Sequence, residues 1–166
     1  MTAHNARFLS DDRQRLASDI GLLLLRLAVG AVFIAHGWGD VSQPGGAAAN
    51  TENYRAAGIP LPELSTLFGA YMQLVGGVVV LFGALTRLIC AGFAVVMAGA
   101  LIFVHAGEGL VMGQDGSGSG FAFIMLAASL ALLGTGAGRL SVDRVLAGRL
   151  PIRPGRIAPV GRPSDA

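Results

Sequence analysis

Two histidines and two polar side chains associated with apolar segments are the residues of this chain whose types could support chemistry. His36 and His105 each end a long apolar segment, and Arg26 and Gln73 lie inside such segments. An imidazole gains or loses a proton near neutral pH, whereas guanidinium and amide groups hydrogen-bond carbonyl oxygens. The four residues therefore predict the binding of a small oxygen-bearing molecule, with proton exchange at the histidines.

The surroundings of the two histidines leave three interpretations open. Near them in the sequence lie Trp38, Asp40, Glu63, Glu108 and Asp115. Two imidazoles with carboxylates resemble the donor set of a divalent metal, but the spacing forms no local metal motif, and no metal ligand is assigned. The histidines would serve equally well to pass protons to or from a quinone-like ring. As a third interpretation, they and Trp38 are anchors at the membrane interface.

Arg26 stands in a segment of nineteen residues, from Ile20 to Trp38, that has no other formal charge. A guanidinium at membrane depth costs roughly 2.5–3.5 kcal/mol on insertion scales, so it normally faces protein or water. Small residues share its helical face and that of Gln73, which predicts that both side chains point inward and contact each other or a polar ligand. The alternatives are snorkelling of Arg26 to the nearer interface, a structural hydrogen bond from Arg26 to Gln73 or to the backbone, and a purely interhelical role for Gln73.

The elements that must position these residues are membrane helices. The chain of 166 residues is 53% hydrophobic and 13% charged, against about 25% charged in ordinary globular proteins. Four apolar segments of about 20 residues each predict transmembrane helices. They are 20–38, 64–85, 88–105 and 121–138. The two-residue turn Thr86-Arg87 requires an antiparallel hairpin, and the predicted fold is an all-α, four-transmembrane-helix up-down bundle.

The arginines predict the orientation of this bundle and its domain limits. Three precede the first span, one lies in the Thr86-Arg87 turn and six follow the last span, ten in all, whereas the two opposite loops contain only Arg55. By the positive-inside rule both termini are cytoplasmic. Residues 1–19 are predicted to be a tail with a short juxtamembrane helix that starts at Ser10, residues 20–146 the membrane domain, and residues 147–166 an arginine- and proline-rich cytoplasmic tail.

The sequence excludes several classes of function. The single cysteine, Cys90, excludes an internal disulfide and a cysteine-based metal cluster. Phosphate-loop, dinucleotide, haem and nucleophile-elbow motifs are absent from the sequence, so no covalent cofactor is expected. The pI near 9.3 comes mainly from the termini and indicates membrane orientation, not nucleic-acid binding.

Several motifs, in this order, resemble the DoxX family. They are Leu-Leu-Arg26-Leu-Ala-Val-Gly30 through His36-Gly37, Gly58-Ile-Pro60-Leu-Pro62, Gly76-Gly77, Gly83-Ala-Leu-Thr86-Arg87-Leu88, Phe103-Val-His105 and Gly138-Arg139-Leu-Ser-Val-Asp143-Arg144. The resemblance covers roughly residues 20–146 and implies a small four-helix, multi-pass protein of the bacterial plasma membrane. It carries over Arg26, His36 and His105 as site positions.

The resemblance also implies a connection to redox chemistry. Some relatives look like membrane subunits of thiosulfate:quinone oxidoreductases, others are linked to quinone or catechol detoxification, and mycobacterial relatives to complexes with superoxide dismutase and a sulfurtransferase. This chain departs from the family pattern by carrying Gln73 at an often acidic position and Asp40 at an often lysine position. The loss of a carboxylate at position 73 weakens any role in moving protons through the bundle.

The function predicted from these observations is that of a membrane subunit of a redox assembly that binds a quinone-like or other small hydrophobic molecule between its helices. Its expected partners are the lipid bilayer and other membrane or redox proteins, or further copies of the chain. The alternatives are a non-catalytic accessory subunit of a larger membrane complex and, if the chain oligomerises, a small transporter.

Overall fold

A computed structural model describes residues 3–111, 113 and 117–149 of the chain, and within this part every regular element is a helix. The predicted all-α class is therefore confirmed for these residues. In chain order the helices are α1 (Ala3–Ser42), a 3-10 helix (Gly46–Asn50), α2 (Thr51–Ala56), α3 (Pro62–Phe82), α4 (Thr86–Gly99) with a π-helical continuation (Ala100–Val104), α5 (Gly120–Thr135) and α6 (Val142–Arg149).

Three of these helices are long and apolar enough to cross a membrane. They are Asp12–Ser42 within α1, Pro62–Phe82, and Thr86–Val104. The fourth apolar helix, α5, has 16 residues. At 1.5 Å per residue it is about 24 Å long, less than the ~30 Å hydrocarbon core of a bilayer. The count of four spans and the cytoplasmic location of both termini therefore stay predictions.

The first helix differs from its predicted form. A short juxtamembrane helix beginning at Ser10 was expected to lead into a separate span, but α1 is one continuous helix that begins at Ala3. The prediction of a cap at Ser10 was wrong because no glycine or proline before this residue interrupts the helix. Most of the predicted tail 147–166, and Asp115 in the second loop, lie outside the described residues.

The apolar helices pack in the cyclic order α1, α3, α4 and α5, so that α1 and α4 face each other across the diagonal. In the centre, the rings of Phe33 on α1 and Phe93 on α4 stack with centroids 3.7 Å apart. The buried core around them consists of Val29, Val80, Cys90, Met97, Ala122, Met125 and Leu132. The core therefore joins all four apolar helices.

Glycines bring the backbones of α1 and α3 into contact. A Cβ atom on Gly30 would lie 2.9 Å from the carbonyl oxygen of Gly77, and one on Gly37 would lie 2.7 Å from that of Ala70. Such distances exclude any side chain at these positions unless the helices separate. The small-residue face that the sequence predicts on α1 thus allows the close approach expected of membrane helices.

On α3, two glycines of the predicted small-residue face lie against residues outside α1. A Cβ on Gly69 would lie 2.9 Å from the hydroxyl oxygen of Tyr54, and one on Gly76 would lie 3.0 Å from the ring of Phe93. The α1 contact uses the residues one position further on, Ala70 and Gly77. One position corresponds to a rotation of about 100° around the helix axis, so α1 packs beside the face of α3 that carries Gln73 and not directly on it.

Candidate functional site

One cavity of about 430 Å³ contains three of the four predicted ligand-binding residues, His36, Gln73 and His105, in its lining. Most of the remaining lining is apolar, and it includes Ile59 and Pro60 of the first loop. We call this space the histidine cavity. It lies at the loop end of the bundle, opposite the α3–α4 turn, so the structure brings together side chains that are far apart in sequence.

His36 is held in a defined orientation on α1. Its Nδ1 lies 2.9 Å from the carbonyl oxygen of Val32, one helical turn earlier. Because a carbonyl only accepts, this contact assigns the proton to Nδ1 and leaves the lone pair of Nε2 for a ligand. The imidazole also stacks on Phe121 of α5, with centroids 5.1 Å apart and an interplanar angle of 18°.

His105 follows the π-helical turn at the end of α4. Its backbone N–H donates to the carbonyl oxygen of Ala100 at 2.9 Å, a five-residue step that defines this turn. Its Nδ1 donates to a carboxylate oxygen of Glu108 at 2.8 Å, which again leaves Nε2 for a ligand. Glu108 also accepts from the backbone N–H of Gly118 at 2.7 Å and so joins the histidine to the second loop.

Gln73 supplies a buried amide to the same cavity, with only 6% of the residue exposed. Its Nε2 donates to the carbonyl oxygen of Gly69 at 3.1 Å, one turn earlier on α3. This bond fixes the amide and does not use its Oε1 oxygen. Gln73 can therefore offer a hydrogen-bond acceptor at the cavity wall.

Three further polar residues line the cavity, Asp40, Tyr54 and Ser65. Ser65 donates its hydroxyl to the carbonyl oxygen of Pro60 at 2.7 Å. Asp40 accepts from the side-chain amide of Asn50 at 2.9 Å. Burial, and then the charge of Asp40, raise the pKa of Tyr54 above its usual value, so its hydroxyl remains a neutral donor. Sequence reasoning missed Tyr54 because it comes from the first loop. The one signal for it is Gly69, whose missing side chain leaves room for the tyrosine hydroxyl.

Arg26 does not belong to the histidine cavity. It is 1% exposed, as its predicted inward orientation requires, but its Nη2 donates to the carbonyl oxygen of Leu140 at 2.5 Å, at the end of the bundle that carries the α3–α4 turn. Within the described part of the chain, its Nε and Nη1 have no hydrogen-bond partner. The predicted contact with Gln73 was wrong, whereas the alternative of a structural hydrogen bond from Arg26 to the backbone is confirmed.

The register of α1 against α3 explains this error. The two helices run antiparallel, with Gly30 opposite Gly77 and Gly37 opposite Ala70. Continuing the same register places Arg26 opposite Leu81, and its guanidinium reaches Gly83, ten residues and hence about 15 Å from Gln73 along the axis. Helical periodicity predicted correctly that both side chains are buried, but it carried no information on their relative depth.

Trp38, the predicted interface anchor, does not line the cavity and is 61% exposed on α1. That exposure suits an aromatic ring at a membrane surface, and its role as an anchor stays a prediction. Among the described residues, no three histidine, cysteine or acidic side chains are grouped closely enough to hold a metal ion.

Comparison with known proteins identifies the family to which the chain belongs. The DoxX family model matches residues 21–106, a range that includes Arg26, His36, Gln73 and His105. This chain belongs to the DoxX family. Along 125 residues, 75% of this DoxX chain, it is 33% identical to the "Putative oxidoreductase CatD" of Bacillus subtilis (strain 168), of which 86% is covered. Along 135 residues, 77% of the chain, it is 34% identical to the "Inner membrane protein YqjF" of Escherichia coli (strain K12), of which 93% is covered.

No solved structure is significantly similar to the chain. The family, the inner-membrane relative and the apolar helices together identify this DoxX chain as a membrane protein.

Proposed function

We propose that this DoxX protein is a multi-pass subunit of a redox assembly in the bacterial plasma membrane and that it binds a quinone-like ring in the histidine cavity. The observation that carries the proposal is the convergence of His36, Gln73 and His105 on one largely apolar space. Its volume of about 430 Å³ falls within the range of roughly 300–1,000 Å³ typical of small-molecule sites. The relative named as an oxidoreductase supports the connection to redox chemistry.

The hydrogen-bonding groups favour the reduced form of such a ring. The Nδ1 contacts leave an acceptor on each histidine, and the bond from Gln73 to Gly69 leaves the amide oxygen. Acceptors pair with hydroxyl groups, which a hydroquinone or catechol has and an oxidised quinone lacks. With Arg26 located elsewhere, the neutral hydroxyl of Tyr54 and the second N–H of the Gln73 amide are donors for a ring oxygen.

The two histidines suit the removal of protons from such a diol. Oxidation of a hydroquinone to a quinone releases two protons and two electrons. His36 and His105 would each accept one proton on Nε2, and Glu108 beside His105 would balance the charge on that ring. The two electrons would pass to an acceptor on a partner protein, because the sequence contains no redox-cofactor motif.

The experiment measures binding of a short-chain hydroquinone, kept reduced, to the full chain in detergent by its effect on thermal unfolding. A ligand at one hundred times its Kd stabilises a protein by about 2.7 kcal/mol, which is readily measured. We expect the single variants His36→Ala, Gln73→Ala and His105→Ala each to weaken binding on the order of tenfold, the loss of one hydrogen bond to a buried ligand.

The matched control is His4→Ala, near the start of α1 and far along the helix from His36. It should bind the hydroquinone as the wild type does. Wild-type affinity in the triple alanine variant would overturn the proposal. Absence of binding to the folded wild-type protein would instead favour the accessory-subunit alternative.

A further inference from the structure

A second cavity, of about 600 Å³, lies at the end of the bundle that carries the α3–α4 turn. Its lining includes three arginines, Arg87, Arg139 and Arg144, and a single carboxylate, Asp143. We call it the arginine groove. It is independent of the histidine cavity, with which it shares no lining residue.

The carboxylate in this groove already accepts hydrogen bonds from two backbone N–H groups. Asp143 accepts from the N–H of Leu85 at 2.7 Å and from the N–H of Thr86 at 3.0 Å. These bonds satisfy the first turn of α4, so the start of this helix is capped by a residue of α6. Asp143 therefore does not form an ion pair with the arginines that share its groove.

The guanidinium groups of Arg87 and Arg139 have N–H donors available for a ligand. Arg87 donates one bond, from Nη2 to the carbonyl oxygen of Gly134 at 3.2 Å. The Nε of Arg139 lies 3.8 Å from the carboxylate of Asp19, a long contact made by a side chain that is 64% exposed. A guanidinium has five N–H donors arranged as a planar fork that fits phosphate oxygens.

A buried hydroxyl gives a second, independent indication of a ligand. Thr86 is completely buried, yet it belongs to the lining of the arginine groove. Within the part of the chain that the structure describes, its Oγ1 has no hydrogen-bond partner. Buried polar atoms are normally paired, and an acceptor oxygen seated in the groove would pair with this one.

The groove also has an apolar side. Leu85 and Leu88 belong to its lining and are 62% and 67% exposed. Both stand at the very start of α4, where a membrane-spanning helix meets the headgroup layer. A ligand that fits this arrangement has a phosphate for the arginines and alkyl chains for the leucines.

We propose that the arginine groove binds the headgroup of an anionic phospholipid, with the phosphate between Arg87, Arg139 and Arg144 and the acyl chains along Leu85 and Leu88. The bound lipid would contact α4, α6 and the segment that joins α5 to α6. It would hold these three parts together at the membrane surface.

The test uses the full chain in detergent and measures lipid binding by native mass spectrometry, with phosphatidylglycerol and phosphatidylcholine compared. We expect the wild type to prefer phosphatidylglycerol roughly 30- to 100-fold, the effect of two or three arginines near an anionic headgroup. The variant R139Q/R144Q should lose most of this preference. The control R13Q/R55Q removes the same charge from two exposed positions that do not line the groove, and it should retain the preference.

Four results would overturn the proposal. They are the absence of a preference in the wild type, an equal loss in both double variants, displacement of the lipid by inorganic phosphate at equal concentration, which indicates a site for the free anion, and a wild-type preference that persists in high salt. The last measurement needs only the wild type, so it decides the question even if R139Q/R144Q does not fold.

Discussion

At the scale of single residues, the burial of Arg26 is explained by the hydrogen bond with which it connects two parts of the bundle. Its bond to the carbonyl oxygen of Leu140 joins α1 to the segment before α6, and the negative charge of Asp143 also acts on it. A charge this deep in an apolar bundle needs protein groups around it. The geometry therefore gives Arg26 a structural position at the turn end of the bundle, away from the cavity that holds the histidines.

Gly83 makes this position possible, and its replacement by alanine should be destabilising. Gly83 has a φ of 67°, and a Cβ there would collide with Nη1 of Arg26 and lie 2.6 Å from the Cβ of Ser141. Left-handed backbone costs a non-glycine residue roughly 1–2 kcal/mol. Overpacking adds about 1–3 kcal/mol. We expect Gly83→Ala to lower the free energy of unfolding by the sum of these, measured by denaturant unfolding in detergent.

The control for this prediction is Gly21→Ala on α1, where a Cβ would meet nothing within 4 Å. It should leave stability unchanged or raise it by roughly 0.5–1 kcal/mol, because alanine is the better helix former. Equal stabilities of the two variants would contradict the assigned role of Gly83.

Tyr54 should make the protein sensitive to alkaline pH. Burial and the charge of Asp40 raise its pKa above the usual 10.0, so the folded chain holds the phenolic proton more tightly than the unfolded chain does. The resulting stabilisation is fully present below pH 10 and is lost as the pH rises through the higher, folded-state pKa. Melting temperatures compared at about pH 8 and about pH 11 should fall less for Tyr54→Phe than for the wild type.

The other tyrosine supplies the comparison. Tyr71→Phe leaves Tyr54 in place and should show the wild-type loss of stability on the alkaline side. If the melting temperature of Tyr54→Phe fell between about pH 8 and about pH 11 as much as that of Tyr71→Phe, then Tyr54 would not be the titrating group.

At the scale of elements, helix α4 depends on α6 for its first turn. Leu85, at its N-cap position, has a φ of 47° and provides no side-chain cap. Asp143 provides it from the other end of the sequence. Replacing Asp143 by alanine should lower the free energy of unfolding by about 1.5–3 kcal/mol, the range for hydrogen bonds to a charged group.

Asp143→Asn keeps one acceptor oxygen and should lose less stability than the alanine variant, with denaturant unfolding as the measurement. Asp12→Ala, which removes an exposed carboxylate on α1, serves as the control. A loss for Asp143→Ala no larger than that of Asp12→Ala would show that the cap contributes nothing.

The helices themselves could be predicted from the sequence, but the hydrogen bonds between distant helices could not. Runs of apolar residues marked α3 and α4 with their short turn, because apolar length is a local property. The cap from Asp143 joins residues 58 positions apart, and no local pattern encodes such a bond. In the site, His36 and His105 were found from their positions at helix ends, whereas Tyr54 needed the fold of the first loop.

At the scale of the whole molecule, the ends of the bundle differ in charge. Arg87, Arg139 and Arg144 lie around one groove at the turn end, whereas Arg55 lies in the first loop, paired with Glu52 and Glu63. This asymmetry in space corresponds to the asymmetry in sequence that predicts cytoplasmic termini.

Labelling of introduced cysteines in whole cells should establish the orientation. Asn53→Cys in the first loop should react with a membrane-impermeant maleimide added from outside, whereas Ala147→Cys in α6 should react only after lysis. The wild type gives the background labelling, which should be low because its single cysteine, Cys90, is buried. Labelling of Ala147→Cys, and not of Asn53→Cys, in intact cells would reverse the predicted topology.

The π-helical turn Ala100–Val104 has a consequence for variation among related sequences. Such a turn holds one residue more than an α-helical turn, because its N–H bonds the carbonyl oxygen five residues back instead of four. His105 therefore stands, relative to Ala100, where an α-helix would place the residue four positions on. Deleting Leu101 would restore regular winding and leave His105 facing the space that it shares with His36, whereas winding the undeleted segment as an α-helix would turn the histidine by about 100° around the helix axis. A relative with a one-residue gap at this point would therefore keep the two-histidine site, and a relative of equal length without the π-helical turn would lose it.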